Sequence, residues 1–129
     1  MVSRADPFLE KALESLAGAE AEFRVARYNN CANRAYYACF QAAIAALIQA
    51  GIHPRGGQWG HEFVPAQFDG VLINRRHLYP RERRGVLERA RSLRLRADYD
   101  QDQVAGAETD RVLRRTRLFV AAVAAEVQR

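Results

Sequence analysis

Four polar side chains recur along an otherwise apolar stretch of this sequence. Asn30, Arg34, Tyr37 and Gln41 stand at i, i+4, i+7 and i+11, so a helix there would carry them on one face. An arginine on such a face needs an acceptor, because an isolated buried charge is costly. Asp98 is the most attractive partner. It lies four residues after Arg94, and the two share a helical face. If the two helices touch, Arg34, Tyr37, Arg94, Asp98 and Tyr99 form a single network. Two readings stand side by side. In one, the network fixes the register of packed helices, and its members satisfy one another. In the other, two guanidiniums around one carboxylate leave positive charge to cradle a phosphate, and Tyr36, Tyr37 and Tyr99 are available to stack on a base. His61 adds a group that titrates near neutrality and could move a proton; its bland reading is a capping or packing role.

Other chemistries find little support. His53, His61 and His77 are not at metal-ligand spacing, so no metal and no cofactor are expected, and His53 and His77 are expected in solvent. Cys31 and Cys39 are eight residues apart on one expected helix, a rise of about 12 Å, too far for a disulfide. They are expected as small packing residues. Ser3, Ser15 and Ser92 sit in no nucleophile elbow, and no Walker or dinucleotide fingerprint is present.

Charge is uneven along the 129 residues. The net charge is +5, and Lys11 is the one lysine among the 20 basic residues. Residues 75–96 alone hold nine arginines against Glu82 and Glu88, whereas the flanking thirds are close to neutral. The arginines at 75, 76, 81, 83, 84, 89, 91 and 96 could line a surface for RNA or an acidic protein, with Arg75, Arg76, Arg81, Arg83 and Arg84 the densest group. A solvated helix face is the plain alternative. Hydrophobic content of 49% argues against disorder. No apolar run reaches the roughly 18 residues of a membrane span, and residues 1–6 lack the apolar core of a secretory leader, so a cytoplasmic domain is expected.

The elements that must position these groups are helices. Asp6-Pro7 predicts an N-cap and first turn, and Phe8, Leu9, Ala12, Leu13, Leu16, Ala19, Phe23 and Ala26 carry a first helix over about 7–27. Tyr28-Asn29-Asn30 breaks the pattern, with Asn30 as the next cap. The Ala-rich stretch 31–50 predicts a central helix, closed by Gly51. A glycine-rich loop over 51–60 follows, with Trp59 as an interface or lid residue. A short helix over about 61–73 is next, then a fourth from Pro80 to Ala97 and a fifth over 105–127. No strand pattern or repeat is present. The expectation is one domain over 1–129, an all-α up-and-down bundle of four long helices and one short one.

At this point the residues resemble a known family. Asn33-Arg34-Ala35-Tyr36-Tyr37-Ala38-Cys39-Phe40 is similar to the [S/N]-R-x-Y-Y-A-x-F signature of HEPN domains. His61 matches a histidine that often opens the next helix in that family, and Leu93-Arg94 with Ala97-Asp98-Tyr99 resembles its L-R-x-x-A-D-Y motif. The resemblance covers roughly residues 7–125. It implies a helical bundle that usually dimerises, a place in a prokaryotic toxin–antitoxin-like or defence module, and a nucleotidyltransferase as partner. It implies nucleotide or RNA binding and, for the toxic members, metal-independent RNA cleavage by an R-x(4–6)-H motif on a late helix. That motif is absent after Arg94; the match in this sequence is Arg55 with His61. If the chain cleaves RNA, Arg34 and Arg94 are expected to stabilise the phosphorane and His61 to move a proton. The other reading is a non-catalytic dimerisation or interaction module that regulates the nucleotidyltransferase.

Overall fold

The computed structural model describes residues 5–129. Among them are five α-helices and no strand. Helix α1 spans Asp6–Arg24, α2 Tyr28–Gln49, α3 Phe63–Gln67, α4 Val86–Tyr99 and α5 Gly106–Val127. The all-α bundle of four long helices and one short one is as expected. Residues 1–4, which include Ser3 and most of the stretch considered as a leader, lie outside the described residues. No helix among the described residues is long and apolar enough to cross a membrane.

Side-chain pairs fix the directions. Asn30 reaches Glu22 and Gln41 meets Ser15, so α1 and α2 run antiparallel. Asn29 Oδ1 accepts from the Val104 amide just beyond α4, while Tyr36 and Tyr37 meet Arg94, so α4 also runs antiparallel to α2. Cys39 Sγ lies 3.3 Å from Thr116 Oγ1, and Tyr28 packs on Gly106, so α5 runs parallel to α2. A Cβ on Gly106 would stand 2.9 Å from the Tyr28 ring, which is why this crossing takes glycine. Helix α2 is the centre, packed against α1, α4 and α5. Its run of buried small residues, from Ala32 and Ala35 to Ala45 and Ala46, lets three neighbours approach it. Cys31 and Cys39 are free and buried, and burial pushes their thiols up to about 11 and about 12, so they are inert packing residues.

The connections depart from expectation. The first helix stops at Arg24, not near 27, and Tyr28–Asn30 form the first turn of α2 rather than a break. Asn30 is therefore no cap; its amide donates to Glu22 at 3.2 Å. Ala5, not Asp6, holds the cap position of α1, with Pro7 in the first turn. The chain leaves α1 through Ala26 at φ 60°, with Ala26 N donating to Phe23 O and Arg27 N to Glu22 O. This is the stop that glycine usually makes. The same pair of bonds closes α2 around Gly51 at φ 81°.

The short third helix is α only over its first five residues; Phe68–Arg75 continues it as a π-helix. The wider turn brings Phe68 together with both Leu72 and Ile73 on the buried side. It ends at His77, whose φ is 53°. His77 N bonds Ile73 O and Leu78 N bonds Leu72 O, each bond spanning one residue more than in an α-helical stop. Pro80 opens a single 3₁₀ turn, Arg81–Arg83, rather than the fourth helix. Helix α4 starts after Gly85 at φ 78°, whose amide donates to Asp69 Oδ2 at 3.0 Å.

Candidate functional site

Helix α2 supplies Tyr36, Tyr37 and Phe40; α4 supplies Arg91, Arg94 and Asp98; the turn before α3 supplies His61. Tyr36 and Phe40 are one helical turn apart and form a buried aromatic step. The His61 ring stacks on both, 4.8 Å from Phe40 and 5.5 Å from Tyr36 between ring centres. The Tyr36 hydroxyl is hydrogen-bonded to His61 Nδ1.

This bond decides what His61 offers. Tyr36 is 1% exposed, and burial pushes its phenol up to about 12, so it keeps its proton at neutral pH. His61 Nδ1 is the acceptor available to that proton, which assigns the imidazole proton to Nε2. Burial, and then the charges of Arg91 and Arg94, hold His61 below the ordinary imidazole range. At neutral pH the ring is uncharged and presents an Nε2–H donor.

The guanidiniums are held by rings. Arg94 lies 5.4 Å from the centre of the Tyr36 ring and 5.3 Å from that of Tyr37. Arg34 covers Tyr37 at 5.2 Å, so one phenol ring contacts two cations. Asp98 Oδ2 is 3.2 Å from Arg94 Nε, within ion-pair range but not aligned as a hydrogen bond. Nε of both Arg91 and Arg94 is buried with no hydrogen-bond acceptor among the described residues. A buried donor left so costs about 1–3 kcal/mol.

The structure thus joins Arg34, Tyr37, Arg94 and Asp98, as the spacing predicts, and links them through Tyr36 to His61. Asp98 pairs with Arg94 but not with Arg34, whose Nε and Nη2 both donate to Asn33 Oδ1 at 3.1 and 2.7 Å. Tyr99 stays outside the network, 77% exposed. The two ends of the polar stripe serve packing. Asn30 ties to α1, and the Gln41 amide, oriented to satisfy its neighbours, donates to Lys11 O, Tyr37 O and Ser15 Oγ.

Arg55 sits in the exposed loop and makes no ion pair or hydrogen bond among the described residues; the cations beside His61 come from α4. Trp59 is partly buried against Phe8 and Phe63, which pins that loop over the start of α1.

The arginines of 75–96 separate into three groups. Arg75, Arg76, Arg81 and Arg84 are exposed and Arg83 partly so, Arg75 at the end of the π-helix and the others in the connection from it to α4. Arg76 is tied down, its Nη1 donating to the Ala50 carbonyl at the end of α2 at 3.0 Å. Arg91 acts electrostatically on His61, whereas Arg89 and Arg96 line the groove between α4 and α5, with the Arg89 guanidinium beside Gly85. Sequence reasoning placed Arg91 only on a general basic surface and Tyr36 on a base. The missed signals were the i, i+3, i+7 spacing of Arg91, Arg94 and Asp98, and the i, i+4 pairing of Tyr36 with Phe40.

Comparison with known proteins agrees with this architecture. The HEPN domain family model matches residues 5–127. A protein of Methanocaldococcus jannaschii named "Putative toxin MJ0605" is 28% identical over 112 residues, which cover 87% of this chain and 80% of that protein. With nearly the whole chain matched by the family model, this protein belongs to the HEPN domain family.

Proposed function

We propose that this chain is a toxin-like HEPN component of a prokaryotic toxin–antitoxin or defence module, and that it binds RNA at the face shared by α2 and α4. The observation that carries this reading is the group of donors around His61. Arg91, which forms no ion pair among the described residues, and Arg94, which is paired with Asp98, act electrostatically on a neutral imidazole whose Nε2–H is set by the Tyr36 phenol. An RNA phosphate supplies the negative charge this group lacks, and Arg34 and Tyr37 extend the same face. The relative named as a toxin supports the module. A homodimer, a nucleotidyltransferase partner and a cytoplasmic setting belong to the same proposal.

RNA cleavage is a second reading, favoured by the phenol–imidazole bond. In that reading the 2′-hydroxyl proton leaves to water, His61 Nε2–H passes to the departing 5′-oxygen as Nδ1 takes the Tyr36 phenol proton, water returns a proton to the phenolate, and Arg91 and Arg94 stabilise the phosphorane. The test is metal-free incubation of labelled RNA with the purified protein, beside His61→Ala and Arg94→Ala. Binding by the wild-type protein that falls in both folded variants is expected. Equal binding by all three overturns the site. Cleavage that disappears in either variant makes the site catalytic; intact RNA throughout leaves a binding module.

A further inference from the structure

A second basic feature lies on the other flank of α4, in the groove it forms with α5. Arg89, Ser92 and Arg96 follow one another at i, i+3 and i+7, and Glu108, Arg111 and Arg115 repeat that spacing on α5. The helices run antiparallel, because Arg96 Nη1 donates to Glu108 Oε1 at 2.9 Å and Arg96 Nη2 donates to Oε2. That register sets Arg89 opposite Arg115, with Ser92 opposite Arg111. At 100° per residue, Arg89, Ser92 and Arg96 lie about 160° around α4 from Arg91, Arg94 and Asp98. The buried stripe of Ala90, Leu93 and Ala97 separates the two sets.

The groove is unbalanced. Its one carboxylate, Glu108, is engaged two-pronged by Arg96, which holds that carboxyl below its usual range and closes one end. Arg89, Arg111 and Arg115 form no side-chain ion pair or hydrogen bond among the described residues, although Arg111 adds an electrostatic pull on Glu108 and Arg89, whose guanidinium lies beside Gly85, adds one on Asp69. The nearby Asp110 is taken by Arg114. Three guanidiniums without a salt bridge therefore line a concave surface, with a fixed ion pair holding one end in place. Phosphate groups spaced along a chain satisfy such a row, because each guanidinium takes two phosphate oxygens.

We infer that the α4–α5 groove is a phosphate-backbone subsite for a nucleic-acid strand, distinct from the His61 face and engaged by Arg89, Arg111 and Arg115. It rests on RNA being the partner, as proposed above. It adds that the strand is held on both flanks of α4, with contacts in the groove that carry affinity but no base preference.

The test is fluorescence-anisotropy binding of a single-stranded RNA across a potassium chloride series. Wild type is compared with the triple variant Arg89→Gln, Arg111→Gln, Arg115→Gln, with the same three changed to lysine, and with Arg94→Gln; circular dichroism checks folding. The glutamine triple variant should bind at least tenfold more weakly at low salt. Its salt slope should be shallower by about 2, since each lost single-strand phosphate contact removes about 0.7. The lysine triple variant should recover most of that slope. A glutamine triple variant with wild-type affinity and slope, beside an Arg94→Gln that loses binding, overturns the groove and leaves the His61 site standing. Groove-dependent binding of an oligoglutamate peptide in place of RNA also overturns it, in favour of an acidic protein. Wild-type protein that binds no RNA removes the proposed function and the groove together.

Discussion

Between residues 75 and 84, five guanidiniums project from the end of the π-helix and the connection after it, and Arg76 alone among them is hydrogen-bonded, to the Ala50 carbonyl. On α4, Arg91 and Arg94 instead act on His61 electrostatically, and Arg94 rests on the rings of Tyr36 and Tyr37. The connection has the higher charge density and the weaker constraint. Exposed arginines on a turn can follow any polyanion, and their contribution is screened within about 10 Å at 0.1 M salt. Arginines held by rings and partly desolvated keep one geometry, which is what selective phosphate contact requires. Charge counting along the sequence finds the first kind of region. Only the packing of α2 against α4 shows the second.

Several substitutions would break or sharpen that contrast. The largest expected effect is on stability. Tyr36→Ala removes a fully buried ring under both His61 and Arg94 and should cost about 3–5 kcal/mol in urea unfolding. Glutamine at any one of Arg75, Arg81, Arg83 or Arg84 should stay within about 0.5 kcal/mol of wild type. A Tyr36→Ala loss below about 1 kcal/mol would erase the distinction.

Next in size is RNA affinity. Arg94→Gln should weaken binding about 10- to 100-fold, the worth of one lost charged hydrogen-bonding group, and Arg94→Lys should not restore it, because an ammonium lacks the planar fork. Lysine at all five connection positions should leave affinity within about twofold. Equal tolerance of lysine in both regions would show that α4 acts as charge alone.

A smaller effect concerns His61. Its imidazole is held low by burial and by Arg91 and Arg94, so replacing both arginines with glutamine should raise its titration midpoint, followed by imidazole NMR. The linked stability is present above the ordinary imidazole value near 6.5 and is lost as pH falls through the lowered folded value. Neutralising the five connection arginines should leave the midpoint in place.

The helices were legible because their apolar spacing is strong. Ala32 through Leu47 could face a core only as a central helix, and Gly51 announced its end through the left-handed conformation it adopts. Ala26 takes the same conformation at the end of α1 without that residue-type signal, so the first helix was expected to run three residues too far. Ala26→Gly should relieve this and raise stability by about 1 kcal/mol in urea unfolding. The π-helix of Phe68–Arg75 was hidden because residues at i and i+4 serve either winding. At the site, the Arg34–Tyr37–Arg94 contact was legible from two helical spacings. The Tyr36–His61 bond was not, because it depends on how the loop 51–60 returns to α2, and Trp59 decides that by packing on Phe8.

The most direct test of the central claim is the titration of His61 with and without RNA. A 2′-O-methylated RNA prevents cleavage, and the imidazole signals report the midpoint. If a phosphate sits against His61 Nε2–H beside Arg91 and Arg94, its negative charge stabilises the imidazolium, and saturating RNA moves the midpoint upward. An unchanged midpoint at saturation would contradict the account and place the RNA elsewhere on the molecule.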